Sequence, residues 1–188
     1  MELRKYQEAL RQAGVIFSTG LSDVEFLDIE MRYGFRFPPD LREFLALGLP
    51  ISQGWTDWRE GSNSEIEKSF NWPLEGICFD IEKNNYWNGS WGPRPQTLQG
   101  CFEGAKNVVA SAPKLIPICG HRYIPDFPHE SGNPVFSVYQ TDIIYYGGDL
   151  EDFFQHEFPA AFGYVIHNIH LPMKRIPFWA EMAEQNWI

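Results

Sequence analysis

A chain of 188 residues that is 44% hydrophobic and 16% aromatic is long enough for one substantial core and short for two independent ones. Its 25 acidic against 15 basic residues give a formal net charge of -10, which argues against a nucleic-acid binder that neutralises phosphates and against docking on an anionic membrane. A basic protein partner, by contrast, would be drawn in by such a field.

The chain opens on "MELRKYQEALRQAG", in which Leu3, Tyr6 and Leu10 recur at helical spacing and Gly14 is placed to end the helix. The segment is charged and has no signal-peptide apolar region, and no run reaches the about 18 apolar residues of a spanning helix. The expectation is therefore a cytoplasmic protein. "LSDVEFLDIEMRYG" gives a second helix: Ser22 caps its free N–H groups, Glu25 reaches back from three residues on, and Gly34 supplies a left-handed stop. After the stiff Pro38-Pro39 elbow, Leu41, Phe44 and Leu45 form the stripe of a third helix closed by Gly48.

From Ile51 to Phe70 no period lasts, so this stretch reads as a long irregular connection. Pro73 then takes a first-turn position for a helix with Leu74, Ile77, Cys78 and Ile81 on one side. Beyond the turn-rich "GSWGPRPQT", Leu98, Cys101, Phe102, Ala105, Val108 and Val109 mark the next helix. "KLIPIC" is a short apolar strand, and "PVFSVYQTDIIYYG" is a hairpin turning at Gln140-Thr141-Asp142. An acidic helix with Leu150, Phe153, Phe154 and Phe158 inward follows, and "RIPFWAEMAEQNW" closes the chain. Cys78, Cys101 and Cys119 are odd in number and set among apolar neighbours, which reads as three reduced core thiols. The expected architecture is α+β: one domain over residues 1–188, an antiparallel sheet packed against several helices, with a Trp-rich insertion around 51–95.

At this point the residues match a family pattern. "LSDVEFLDIEMRYGFRFPPDLREFL" resembles the opening of the SUKH superfamily, which includes fungal cell-wall-assembly regulators and bacterial toxin-immunity proteins; the match rests on Glu30, Gly34, Phe37-Pro38, Asp40 and Phe44-Leu45. "LIPICGH" followed by "GNPVFSVYQTDIIYYGGDLEDFF" resembles the family's strand, hairpin and following helix, so the likeness covers most of Leu21 to Phe158. The chain departs from the pattern in "LGLP", in "GHRYIPDFPHES" and in the size of the Trp-rich insertion. The resemblance implies a non-enzymatic binding protein without cofactor, in the bacterial branch an immunity protein that occludes a toxin, often a nuclease.

The charge pattern fits that implication independently. Between Tyr123 and Met173 lie seven Asp or Glu residues and no Lys or Arg, and an inhibitor of a basic nuclease can imitate the field of its substrate. The plain alternative is a solvated acidic face. Three groups are candidate partner contacts. The loop from Cys119 to Pro134 carries His121, Arg122, Tyr123, Asp126, His129 and Glu130; the insertion carries Trp55, Asp57, Trp58, Trp91 and Arg94; and the acidic span adds Asp142, Asp149, Glu151 and Asp152. Trp55, Trp58 and Trp91 are expected to be at least half exposed, as interface anchors are, whereas Trp72 and Trp87 knit the insertion to the helices.

Two further functions remain on the residues alone. One is a regulatory scaffold binding another cytoplasmic partner; the other is a metal-dependent hydrolase using His121, Asp126, His129 and Glu130. "HNIH" places His167 and His170 three apart, but its apolar neighbours read as a strand or irregular segment rather than a ligand-bearing helix. No phosphate loop, dinucleotide fingerprint, nucleophile elbow or paired Cys-x-x-Cys motif is present.

Overall fold

The computed structural model describes residues 3–163 and 173–185. The fold is α+β. In chain order it runs α1 (Leu3–Gln12), β1 (Phe17–Ser18), α2 (Asp23–Tyr33), α3 (Pro39–Leu47), β2 (Leu49–Pro50), α4 (Asn63–Lys83) and α5 (Leu98–Ser111). Then come the strands β3 (Leu115–Cys119), β4 (Arg122–Pro125), β5 (Val135–Tyr139) and β6 (Asp142–Gly147), followed by α6 (Leu150–Glu157), α7 (Pro159–Phe162) and α8 (Trp179–Gln185).

The four strands β3-β4-β5-β6 form an antiparallel meander, and β1 pairs with β2 in a separate two-stranded sheet. Side chains alternate across the meander, and both of its faces are buried. Ile116, Ile118, Ile124 and Val135 face a core built with α1, α2, α3 and α6, including Leu10, Phe26, Phe44 and Phe154. Tyr123, Phe136, Val138, Ile143 and Tyr145 face the opposite way, against Ile176, Trp179 and Met182 around α8. Ile77 and Ile81 of α4 meet Cys101 and Ala105 of α5 in a third cluster. A sheet covered on both faces explains why β3 and β5 read as near-continuous apolar runs.

Local chemistry accounts for the helix ends. Ser22 and Glu25 form the expected capping box, and Gly34 closes α2 at φ +64°. The sequence reading is corrected at α4, which begins ten residues before Pro73. Its start is a second capping box, Ser62 with Glu65, so the irregular connection is shorter than expected. Pro73 lies inside the helix, where it cannot donate to the Ser69 carbonyl four residues back. The Tyr123 hydroxyl makes that bond instead, at 2.9 Å. A further correction concerns Arg122 to Pro125, read as part of a loop; these residues form β4, paired with β3 and β5.

The β5–β6 hairpin turns through Gln140 and Thr141 as expected, and α4 clamps it. Gly76 approaches so closely that a Cβ there would lie 2.7 Å from the Gln140 Cα. Asp80, buried, accepts from the Thr141 N–H at 2.9 Å and its hydroxyl at 2.6 Å.

Candidate functional site

The segment between β2 and α4 lies along β3, the edge of the meander. Trp55 bridges to Cys119, the Thr56 N–H donates to the Ile118 carbonyl at 3.1 Å, and the Gly120 N–H donates to the Gly54 carbonyl at 2.7 Å. An edge strand's free N–H and C=O groups are thereby partly satisfied. The chain then turns on Asp57, whose Oδ1 accepts from the N–H groups of Arg59 and Glu60, both at 3.0 Å. Gly61 closes this turn against the Asp57 carbonyl; a Cβ at Gly61 would lie 2.3 Å from that oxygen. The capping box of α4 follows at once.

These turns shape a cleft of about 280 Å³ lined by Trp55, Asp57, Glu65, Ile66, Ser69 and the Gly120 turn. Two carboxylates line it and no cation does. Hydrogen bonds from the Ser62 hydroxyl and N–H hold Glu65 below the usual carboxylate range, so it is ionised at neutral pH. Trp55 is fixed by stacking on Phe158, with ring centroids 5.6 Å apart and planes 9° from parallel. A rigid indole beside two carboxylates suits an ammonium or guanidinium group, which gains both charge pairing and contact with the ring. The cleft therefore unites two regions singled out separately in the sequence: the Trp-bearing insertion, through Trp55 and Asp57, and the β3–β4 turn that precedes His121. His121 is half-buried, its ring 6.3 Å from that of Tyr139, and burial and then Arg122 push its pKa down.

The remaining expected contacts are distributed differently. Trp58 is 6% exposed and packs among Tyr33, Phe35, Phe37 and Phe70. Trp91 stacks on Phe178, with edge contacts to Tyr86 and Trp87. Neither these two nor Trp55 is half exposed, because each apolar ring found a packing partner. Arg94 donates to the Asn85 carbonyl at 2.5 Å and closes the end of α4. Arg122 is held by Glu157 at 3.0 Å and Ser137 at 2.8 Å, over the Tyr146 ring. Tyr123 is buried beneath α4.

The acidic span is mostly tied down within the molecule. Asp126 accepts from the Lys114 N–H, Asp149 caps α6, and Glu151 accepts from the Tyr6 hydroxyl. Glu130 pairs with Lys174 at 2.9 Å, and Glu157 with Arg122. Asp152 is buried and accepts from the Gly148 N–H at 2.8 Å. Trp58, Tyr123 and Asp152 thus present no surface to a partner. Asp142 is exposed, and its carboxylate has no charged or hydrogen-bonded partner among the described residues.

A second exposed feature was missed in the sequence. Val24 (76% exposed), Leu27 and Met31 (77%) line one outward stripe of α2. Met31 continues into a groove shared with Phe127, Arg36, Asp126 and His129. The signal was present: the apolar residues of α2 surround the helix, so one part of them had to face away from the core.

His121, Asp126, His129 and Glu130 do not converge; among the described residues no group of three or more His, Cys, Asp or Glu side chains could hold a metal ion. His167 and His170 lie outside the described residues. Among the described residues no helix is long and apolar enough to cross a membrane. No family model, curated protein or solved structure matches the chain.

Proposed function

We propose that this chain is a protein-binding module that takes a basic side chain of its partner into the cleft between Trp55, Asp57 and Glu65, and that it serves in the cytoplasm as an immunity protein occluding a nuclease-type toxin. The observation that carries the reading is the cleft's lining: two carboxylates, a fixed indole and no cation. The net charge of -10 adds long-range attraction for a basic surface, which acts on the encounter rate. The resemblance of Leu21 to Phe158 to the SUKH superfamily supports the toxin partner. The action is steric and electrostatic blockade, without chemistry on the partner and without a cofactor.

The exposed stripe of Val24, Leu27 and Met31 favours a second reading, a scaffold that recruits another cytoplasmic protein through apolar contact. One experiment separates the two. The protein is used as bait in extract of its host, with elution by rising salt, beside the variant D57N/E65Q. This variant removes two charges but keeps oxygen acceptors for the Asp57 turn and the Ser62 cap. A basic protein released by salt, and captured about tenfold less by the variant, supports the immunity reading. Capture indifferent to both salt and variant supports the scaffold.

A further inference from the structure

A second cleft, of about 480 Å³, lies between α4, the end of α5 and the start of β3. Its size falls within the about 300–1,000 Å³ of small-molecule sites. Phe70, Leu74, Val109, Leu115 and Trp179 give it apolar walls, and it holds two of the chain's 15 cations, Lys106 and Lys114. Lys106 is exposed, and its ammonium makes no ion pair or hydrogen bond among the described residues.

Lys114 is fixed and underused. Its ammonium lies 4.9 Å from the centre of the Phe70 ring and donates one hydrogen bond, to the Tyr33 carbonyl. A lysine has three N–H donors, so two remain without a protein partner among the described residues. Asp126 also lines the cleft, but its Oδ1 accepts from the Lys114 backbone N–H at 2.8 Å, and it forms no ion pair with the ammonium among the described residues. Burial pushes the Lys114 pKa down, and the charge of nearby Asp126 offsets this only in part. The chain is strongly acidic, yet this cleft carries a local excess of positive charge over an apolar floor.

We propose that this cleft binds an amphipathic carboxylate, an aromatic or medium-chain aliphatic acid. Its hydrocarbon part lies against Leu74, Val109 and Trp179, and its carboxylate accepts from Lys114, with Lys106 adding attraction at the rim. The site is separate from the Trp55 cleft, so either can fail without the other.

The test uses the full chain and two probes of nearly equal shape, 2-naphthoate and its neutral counterpart 2-naphthamide, titrated calorimetrically. One equivalent of naphthoate is expected to bind, and the amide about tenfold more weakly, the difference a charge-assisted hydrogen bond makes. K114M, which keeps an apolar stem, should bring the acid down to the affinity of the amide. V109F, which fills the cleft, should abolish binding of both. Thermal melts check that the variants fold. In the unaltered protein the indole N–H resonance of Trp179, assigned with W179F, should move on saturation with naphthoate. The proposal is overturned by absent saturable binding, by equal affinity for acid and amide, by a motionless Trp179 resonance, or by undiminished binding in a folded V109F.

Discussion

Helix α4 continues through Pro73 because Tyr123, 54 positions beyond the Ser69 carbonyl that Pro73 leaves free, replaces the missing donor. The Tyr123 hydroxyl donates to the Ser69 carbonyl at 2.9 Å, and Tyr123 is 1% exposed, so water cannot easily take its place. Tyr123→Phe deletes the donor while keeping the ring. An unsatisfied carbonyl costs about 1–3 kcal/mol, and removing the buried hydroxyl recovers part of it, which leaves a loss of about 1–1.5 kcal/mol. For a chain of this length that corresponds to a fall in Tm of about 2–6 °C. The diagnostic variant is Pro73→Ala, which restores an N–H able to reach the Ser69 carbonyl within the helix. In that background Tyr123→Phe should cost little, giving a coupling of about 1 kcal/mol between two residues on different elements. Urea denaturation of the four proteins measures it, provided the slopes agree. An equal cost of Tyr123→Phe in both backgrounds would refute the compensation and reduce the bond to ordinary packing.

At Gly76 opposed effects meet, and their magnitudes decide the sign. Gly76→Ala should gain about 1 kcal/mol of helix propensity. The new Cβ, however, would lie 2.7 Å from the Gln140 Cα and 3.0 Å from its nitrogen, in a turn that Asp80 holds through the adjacent Thr141. Overpacking of about 1–3 kcal/mol then prevails, so Tm should fall by about 2–4 °C; a rise would show that α4 can retreat from the hairpin freely. Glu25 accepts hydrogen bonds from Arg59 and Ser22, which hold its carboxyl at about 2 against an ordinary 4.5. A depressed carboxyl stabilises the fold fully above about 4.5 and loses that contribution as pH falls toward 2. The pair is partly exposed, so screening limits it to about 1 kcal/mol or less. The difference in Tm between the unaltered protein and Glu25→Gln should therefore be present at pH 7 and shrink as the acid is titrated; a gap constant with pH would rule out the ion pair as its source.

Much of the architecture follows from short-range chemistry that a sequence displays. Ser22, Glu25 and Gly34 bound α2 because a capping oxygen and a left-handed glycine act within a few residues. The two β-branched and aromatic runs of "VFSVYQTDIIYYG" mark β5 and β6 because such side chains pack well on a pleated, buried sheet. The same local rule applied to Ser62 and Glu65 would have found the true start of α4, but Pro73 pointed to a later one. A proline inside a helix is tolerated only if the freed carbonyl finds a donor, and that donor, Tyr123, lies on β4. The candidate site was half legible: Trp55 and Asp57 were marked by residue type, whereas Glu65, Ser69 and Gly120 line the cleft only because the insertion lies along the edge of β3.

Charge illustrates the same division. The sequence by itself determined the net charge of -10 and the long stretch from Tyr123 to Met173 without Lys or Arg. Only the tertiary structure decided which carboxylates remain available. Asp149, Glu151, Asp152 and Glu157 are engaged by a helix end, a tyrosine, a backbone amide and an arginine respectively, while Asp57 and Glu65 line an open cleft. The reason is physical: composition fixes how many charges a chain carries, but which of them line an open cleft is set by the path of the folded chain, which brings Asp57 and Glu65 together beside Trp55.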